Sequence, residues 1–359
     1  MPTNFTYSDA GVNRKQRHES KKHLKTLEAT YSYSNHGSVM CLPYGNLFPV
    51  GSDTYLDLVI EGVGTKVLVA QLAGKYDTIG IDAVAMAVND VIRSGAKPLA
   101  IADNIHAQAS DPQLVKAWLE GVAKGATASE CPVTSGEIGD VAEVIKGITD
   151  GIGFDMIVAA LGRVFKQDVV SGKNIKPGDP IIGLRSSGLH SNGISFARKI
   201  LFSQWGGKYK PFAVPDNLDR ELVLEVLEPT EIYVKPFLKT AQAVEIKAAV
   251  HVTGDAYLKF NNILLASPKI GFEFNNFKPH AIFSLIRKTA TELGYNVTGE
   301  EMFKTFNMGW GFAIIVNKTD TDKALSALEK AGVQPEQIGR VTDKQKIVIQ
   351  YGNEKLVLA

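Results

Sequence analysis

Cysteine is scarce: Cys41 and Cys131 are the two present in 359 residues, far apart and without Cys-x-x-Cys spacing. That excludes a disulfide framework and a thiolate zinc site as organising devices, and it predicts a reducing, cytoplasmic setting. Charge of one sign is lacking too. Lys plus Arg number 39 against 38 Asp plus Glu, a formal net charge of +1, so no overall field favours a polyanionic partner such as nucleic acid. No apolar run approaches the roughly 20 residues of a membrane span. The polar start "MPTNFTYSDAGVNRKQ" lacks the apolar core of a secretory signal. A soluble chain with neither nucleic-acid nor membrane partners is expected. No GxGxxG follows a strand, and "EGVGTK" has too few residues between its first glycine and Gly-Lys for a Walker P-loop.

Hydrophobic content of 45% and charged content of 21% are ordinary for a globular protein, and the length exceeds one usual core. Two domains are expected. In the first half, "DTYLDLVI" alternates as a half-buried strand and ends on the glycine-rich "EGVGTK". Next, Ile81, Val84, Ala85, Val88, Val91 and Ile92 recur at helical spacing, with Gly95 as a stop and Pro98 beyond it. The strand "LAIAD", a helix over 112–126 and the short run "CPVTSGE" follow. The composition shift in "FKQDVVSGKNIKPGD" places a boundary that divides the chain into 1–167 and 168–359. Beyond it "PIIGL", "GFAIIV" and "KIVIQY" read as extended, and "ISFARKIL", "EIYVKPFLKTAQAV" and "DKALSALEKAG" as helical. This alternation predicts a mixed α/β fold in two domains.

Two loops and a set of acids carry candidate chemistry. In "EGVGTK", Gly62 and Gly64 permit a tight turn with amide groups facing an anion, and Thr65 and Lys66 add donors; a plain strand-to-helix turn is the alternative. Glu61, Asp90, Asp103 and Glu137 sit at or near strand ends, which in α/β folds converge on one crevice. Oxygen ligands of this kind suit magnesium carried by a nucleotide phosphate, although any single acid also serves as a cap or a surface group. The loop "SSGLHSNG" precedes a helix, whose N-terminal amides favour phosphate. Ser191 or Asn192 would equally cap that helix, and His190 adds a group able to carry a proton. His251 in "HVTGD" and Asn307 in "TFNMGWG" share this ambiguity.

Seven ordered segments, "YSDAGV", "GVGTK", "IGIDAVAMAVNDVIRSGAKPL", "SSGLHSNGISFARKIL", "EPTEIYVK", "VHVTGD" and "MFKTFNMGWG", together resemble the aminoimidazole ribonucleotide synthetase (phosphoribosylformylglycinamidine cyclo-ligase) family. The resemblance runs from Tyr7 to about residue 340. It implies a homodimer whose N-terminal domains pair their sheets into a shared barrel, with a C-terminal α/β domain beside each. It also implies ATP and Mg2+, with K+ as a further candidate ion, and ring closure of formylglycinamidine ribonucleotide. By the same resemblance Gly62, Gly64, Thr65 and Lys66 contact phosphate, and Ser191 and Asn307 belong to the nucleotide site. Asp90, Asp103 and Glu137 serve metal or nucleotide, with Glu61 added to the metal set. The loop with His190, Ser191 and Asn192 falls on the substrate side of the cleft, His190 and Asn192 being catalytic candidates with His190 as a proton carrier, and Lys25 corresponds to a catalytic, active-site lysine of the family's N-terminal arm.

Three departures from the family pattern stand out. Glu61 replaces an aspartate, the surroundings of Glu137 read "SGEIGDVAEV", and "HVTG" is followed by Asp255 and Ala256 where glycines are usual. They motivate an alternative, a catalytically weakened nucleotide-binding scaffold. The enzymatic alternative is a relative of the same superfamily, resembling thiamine-monophosphate kinase.

Overall fold

The helix foreseen in "IGIDAVAMAVNDVI" forms over Ile79–Ile92, and every residue of it except Ile81 is buried. A helix apolar nearly all round must be covered on all sides, and this one is. In the computed structural model, which describes residues 3–358, one side lies on a sheet and another on the helix Pro112–Ser129. Asp111 caps that second helix through the amides of Gln113 and Leu114, and Pro112 occupies its first turn. The two helices approach so closely that a Cβ on Gly80 would fall 2.1 Å from the amide nitrogen of Val122, so glycine is required there.

The sheet beneath them has six strands in the order Met40–Leu42, Gly45–Pro49, Thr54–Gly62, Phe154–Phe165, Lys97–Ala107, Val133–Asp140. All neighbours are antiparallel except the last pair. Its helix-covered face takes Val158, Ala160, Ile101 and Ile105, while the opposite face has no cover among the described residues. On that open face Leu58 stands opposite Leu161 and Ile60 opposite Ala159. Leu58 is 71% and Ile60 69% exposed, with Phe165 at 47%.

After Phe165 the chain crosses to a second, seven-stranded mixed sheet that starts at Pro180. Its order is Glu354–Val357, Ile347–Tyr351, Gly271–Phe274, Pro335–Thr342, Pro180–Arg185, Trp310–Val316, Ile246–His251. The last three strands of this order are buried along their whole length: "IKAAVH" at the edge, "WGFAIIV" and, except for Arg185, "PIIGLR". The helices Ile194–Leu201, Val234–Ala243, Ala281–Glu292 and Thr321–Lys330 belong to this half.

The first residues do not stay with the first sheet. Thr3–Asn4 pairs in parallel with Tyr295–Asn296, and the Phe5 ring meets Phe196 at 4.9 Å and Tyr295 at 5.0 Å between centroids. The arm then forms the helix Arg14–Lys21 before running toward the first sheet. Among the described residues no helix is long and apolar enough to cross a membrane.

Candidate active site between the two halves

The polar residues of the helix Ile79–Ile92 all turn toward the second half. Asn89 and Asp90 come seven and eight residues after Asp82, two turns on, so each falls near it on one broad side of the helix. Asn89 donates to the Glu231 carbonyl at 2.8 Å and accepts from the Tyr233 amide at 2.9 Å. Asp82 Oδ1 accepts from the Thr230 amide at 2.8 Å, the Thr230 hydroxyl at 2.6 Å and the Ser191 hydroxyl at 3.1 Å. Lys66 Nζ completes this knot, 2.8 Å from Asp82 Oδ1 and 2.7 Å from the Glu228 carbonyl. Both side chains of the ion pair are 0% exposed. The ammonium foreseen as a phosphate donor is therefore committed, in this conformation, to joining the halves.

Just before Lys66, the glycine-rich turn behaves as its composition requires. Gly64 takes φ +66°, with open space where a side chain would be. The Thr65 hydroxyl lies 2.9 Å from that of Ser195. Thr65 precedes the helix Lys66–Ala73, and Ser195 is in the first turn of Ile194–Leu201. Two helix N-termini thus meet at one point, one from each half, and their unpaired amides favour an anion there.

The "SSGLHSNG" loop is held from within. His190 is 1% exposed, and its Nε2 accepts from the amides of Ser187 at 3.2 Å and Glu231 at 3.4 Å. Those bonds place the proton on Nδ1, which is buried without a partner. Burial, reinforced by the neighbouring His251, Lys66 and His280, holds the His190 pKa well below its ordinary value. Its accepting nitrogen is spent on the loop, so this geometry makes His190 a neutral brace and not an exposed proton carrier. Asn307 is similarly occupied: its Oδ1 accepts from Ser186 and Gly309, and its Nδ2 donates to the carbonyls of Gly188 and Leu189. Asn192 reaches across to the next loop, accepting from the Gly254 amide at 2.8 Å.

A second polar cluster lies on the helix-covered side of the first sheet. Asp90 Oδ1 is 2.7 Å from His251 Nδ1, and Asp90 Oδ2 is 2.6 Å from Arg93. Burial opposes ionisation of Asp90, but Arg93, Lys259 and His251 outweigh it and hold the carboxyl well below its usual range. Glu61 is pushed up to about 7 by burial first and the nearby Asp90 second. Burial takes His251 down to about 4 against the pull of Asp90, so it is neutral at pH 7. Sequence reasoning missed Asp82, Arg93, Thr230 and Lys259; an acid inside an otherwise apolar helix was the available signal for the first.

The four acids expected to share a metal are divided. Glu61 and Asp90 are neighbours, and Asp103 faces the same side of the sheet on another strand, beside Gly136. Glu137, exposed on the edge strand, is in register with Asn104 and so points to the opposite face. Among the described residues no group of three or more His, Cys, Asp or Glu side chains is placed to hold a metal. Both Asp90 oxygens are already paired, so one chain offers no ready cage. Lys25 lies on the exposed arm segment Lys22–Tyr33.

Between the hairpin 40–49 and the helix lies a cavity of about 180 Å³, lined by Tyr44, Leu47, Asp57, Glu61, Asp90 and Arg93. Asp57 accepts from Ser94 Oγ at 2.6 Å and is pushed up from 3.8 to about 6, chiefly by burial. Between those two values the folded chain keeps a proton that the unfolded chain has released, so this group's contribution to stability falls as pH rises from about 4 to about 6. The Asp57→Asn variant lacks that loss. Its stability relative to the parent should rise across the same window to about 2–3 kcal/mol at pH 7, measured by urea unfolding at several pH values; a difference independent of pH would contradict this.

Comparison with known proteins follows the same division of the chain. Residues 45–164 match the family described as AIR synthase related protein, N-terminal domain, and residues 176–352 match the corresponding C-terminal domain. A phosphoribosylformylglycinamidine cyclo-ligase of Methanocaldococcus jannaschii is 35% identical over 98% of this chain and 99% of its own length. That of Pyrococcus furiosus is 34% identical over 97% and 98%, and that of Carboxydothermus hydrogenoformans 39% over 80% and 81%. Among solved structures, thiamine-monophosphate kinase from Stenotrophomonas maltophilia superposes with a TM-score of 0.60 at 15% identity, covering 91% of this chain and 95% of that one. T. maritima PurL complexed with FGAR gives 0.58 at 17% identity, covering 91% of this chain and 47% of that one. Likeness at such identity is a likeness of fold.

Proposed function

The chain belongs to the phosphoribosylformylglycinamidine cyclo-ligase (AIR synthase) family, and from that premise we propose that it closes the imidazole ring of formylglycinamidine ribonucleotide at the expense of ATP. The observation that carries this reading is the match over nearly the full length to relatives bearing that name. In the reaction the formamide oxygen attacks the γ-phosphorus of ATP, an O–P bond forms and ADP leaves. A nitrogen of the same molecule then attacks the activated carbon, the C–O bond breaks, and phosphate and a proton are released. Phosphorylation turns a poor leaving group into a good one. The protein's task is mainly positioning and charge neutralisation.

The meeting of two helix N-termini at Thr65 and Ser195 supports a phosphate site there, with Gly62 and Gly64 giving close backbone approach. Asn192 faces the substrate side in this reading, and His190 and Asn307 keep the loop in shape. Magnesium accompanies the phosphates of ATP, and no step is assigned to it because one chain supplies no cage. A homodimer fits the uncovered sheet face around Leu58 and Ile60. A cytoplasmic location fits the scarcity of cysteine.

The test is incubation of the purified protein with ATP, magnesium chloride and formylglycinamidine ribonucleotide. Equal amounts of ADP and aminoimidazole ribonucleotide are expected. Binding without either product would replace the proposal with a scaffold role, and phosphorylation of thiamine monophosphate would replace it with a kinase.

A further inference from the structure

Asp255, standing where the family pattern has glycine, is ringed by cations from the N-terminal arm. Arg17 Nη2 lies 2.5 Å and His18 Nε2 3.0 Å from its carboxylate, and Arg14 Nε is 3.7 Å away. The Asp255 side chain is 13% exposed. Asp255, with Glu301 on the far side of Arg14, thus faces two guanidinium groups and an imidazole, and Nε of both arginines is buried without a hydrogen-bond partner. Residues 14–25 of the arm are basic: Arg14, Lys15, Arg17, Lys21, Lys22 and Lys25 are opposed within that stretch by Glu19. Even with Glu301 and Thr305 on Arg14, donors are left over at this point, the two buried Nε groups among them.

The location gives this imbalance a use. Gly254, next to Asp255, donates to Asn192, and the Tyr7 hydroxyl meets the backbone of Gly193. Lys199 on the helix Ile194–Leu201 donates to the Asp9 carbonyl at 2.8 Å. Arg14 is fixed by Glu301 at 2.8 Å and by the Tyr7 ring at 5.0 Å. The arm therefore lies over the loop whose helix meets Thr65, and its free donors border the proposed phosphate site.

We propose that Arg14, Arg17 and His18 form a subsite for a phosphate group of the bound ligand, and that the Asp255 carboxylate fills it as an internal competitor when no ligand is present. The assignment rests on the nucleotide-dependent reading of the cleft given above. A phosphate carries more charge and more acceptor oxygens than a carboxylate, and it matches the arginine forks. Displacing Asp255 costs affinity, because the competent subsite exists only in the fraction of molecules whose latch is open.

Two probes separate the sources of the phosphate: a non-hydrolysable ATP analogue for the triphosphate, and ribose 5-phosphate for the phosphomonoester of the second substrate. Calorimetric titration of the full chain with each should show Asp255→Asn binding one of them about tenfold tighter than the parent. The gain should disappear in Arg17→Ala/Asp255→Asn, and it should shrink as salt is raised. Unchanged or weaker binding of both probes by Asp255→Asn, or a gain that survives loss of Arg17, would make Asp255 a structural tether and overturn the proposal. These titrations need no turnover, so they can fail while ring closure succeeds, and the reverse.

Discussion

Lys66→Met lowers the stability of the protein by about 3–5 kcal/mol, the usual cost of removing one partner from a buried ion pair. The physical reason lies with the group left behind. Asp82 is 0% exposed, and its Oδ2 has no hydrogen-bond partner even in the parent. Without the ammonium, a buried carboxylate would depend on Thr230 and Ser191 alone. The Glu228 carbonyl would also lose its donor. Urea denaturation should show a lower midpoint, and the double variant Lys66→Met/Asp82→Leu should recover much of the loss because no lone charge remains. A single variant within about 1 kcal/mol of the parent would show that the knot does not hold the halves together.

The second large effect is expected on assembly. Glutamates at both Leu58 and Ile60 should leave each chain folded, since these side chains are 71% and 69% exposed. In a dimer built on this face they would bring like charges together in a desolvated seam. Repulsion of several kcal/mol corresponds to association weaker by about a thousandfold or more. Light scattering should report a dimeric mass for the parent and a monomeric one for the variant, with unaltered circular dichroism. An unchanged mass would place the contact elsewhere or show that the parent does not dimerise.

How far the fold was legible depended on whether an element showed a period or a stop in its own residues. Ile79–Ile92 was readable because apolar residues recur at helical spacing and the chain then turns at Gly95, which takes φ +87°. The amphipathic helix Thr321–Lys330 was readable for the same reason. Phe154–Phe165, in the middle of the first sheet, gave no clean alternation. Ile157, Ala159 and Leu161 face the uncovered side, so both faces of that strand are apolar. The short hairpin 40–49 offered too few residues for any period to be seen.

The site was legible as loops but not as pairings. Composition pointed to "EGVGTK" and "SSGLHSNG", and the structure brings the first against the helix that follows the second, Thr65 to Ser195. It did not reveal that Lys66 has its counter-ion on the helix that follows, or that Asp90 meets a histidine 161 positions along the chain. Such partners are set by how the halves dock, which no local pattern encodes. Glu137 illustrates the opposite error. Nearness to a strand end suggested convergence, but its register puts it on the other face from Asp103.

The parallel pairing of Thr3–Asn4 with Tyr295–Asn296 bears on how this polypeptide can be divided. A fragment starting near residue 168 would lack Phe5 and leave the ring of Phe196 without its edge-on neighbour. A synthetic peptide spanning 3–21 should therefore complement that fragment in trans, as a missing strand restores a split protein.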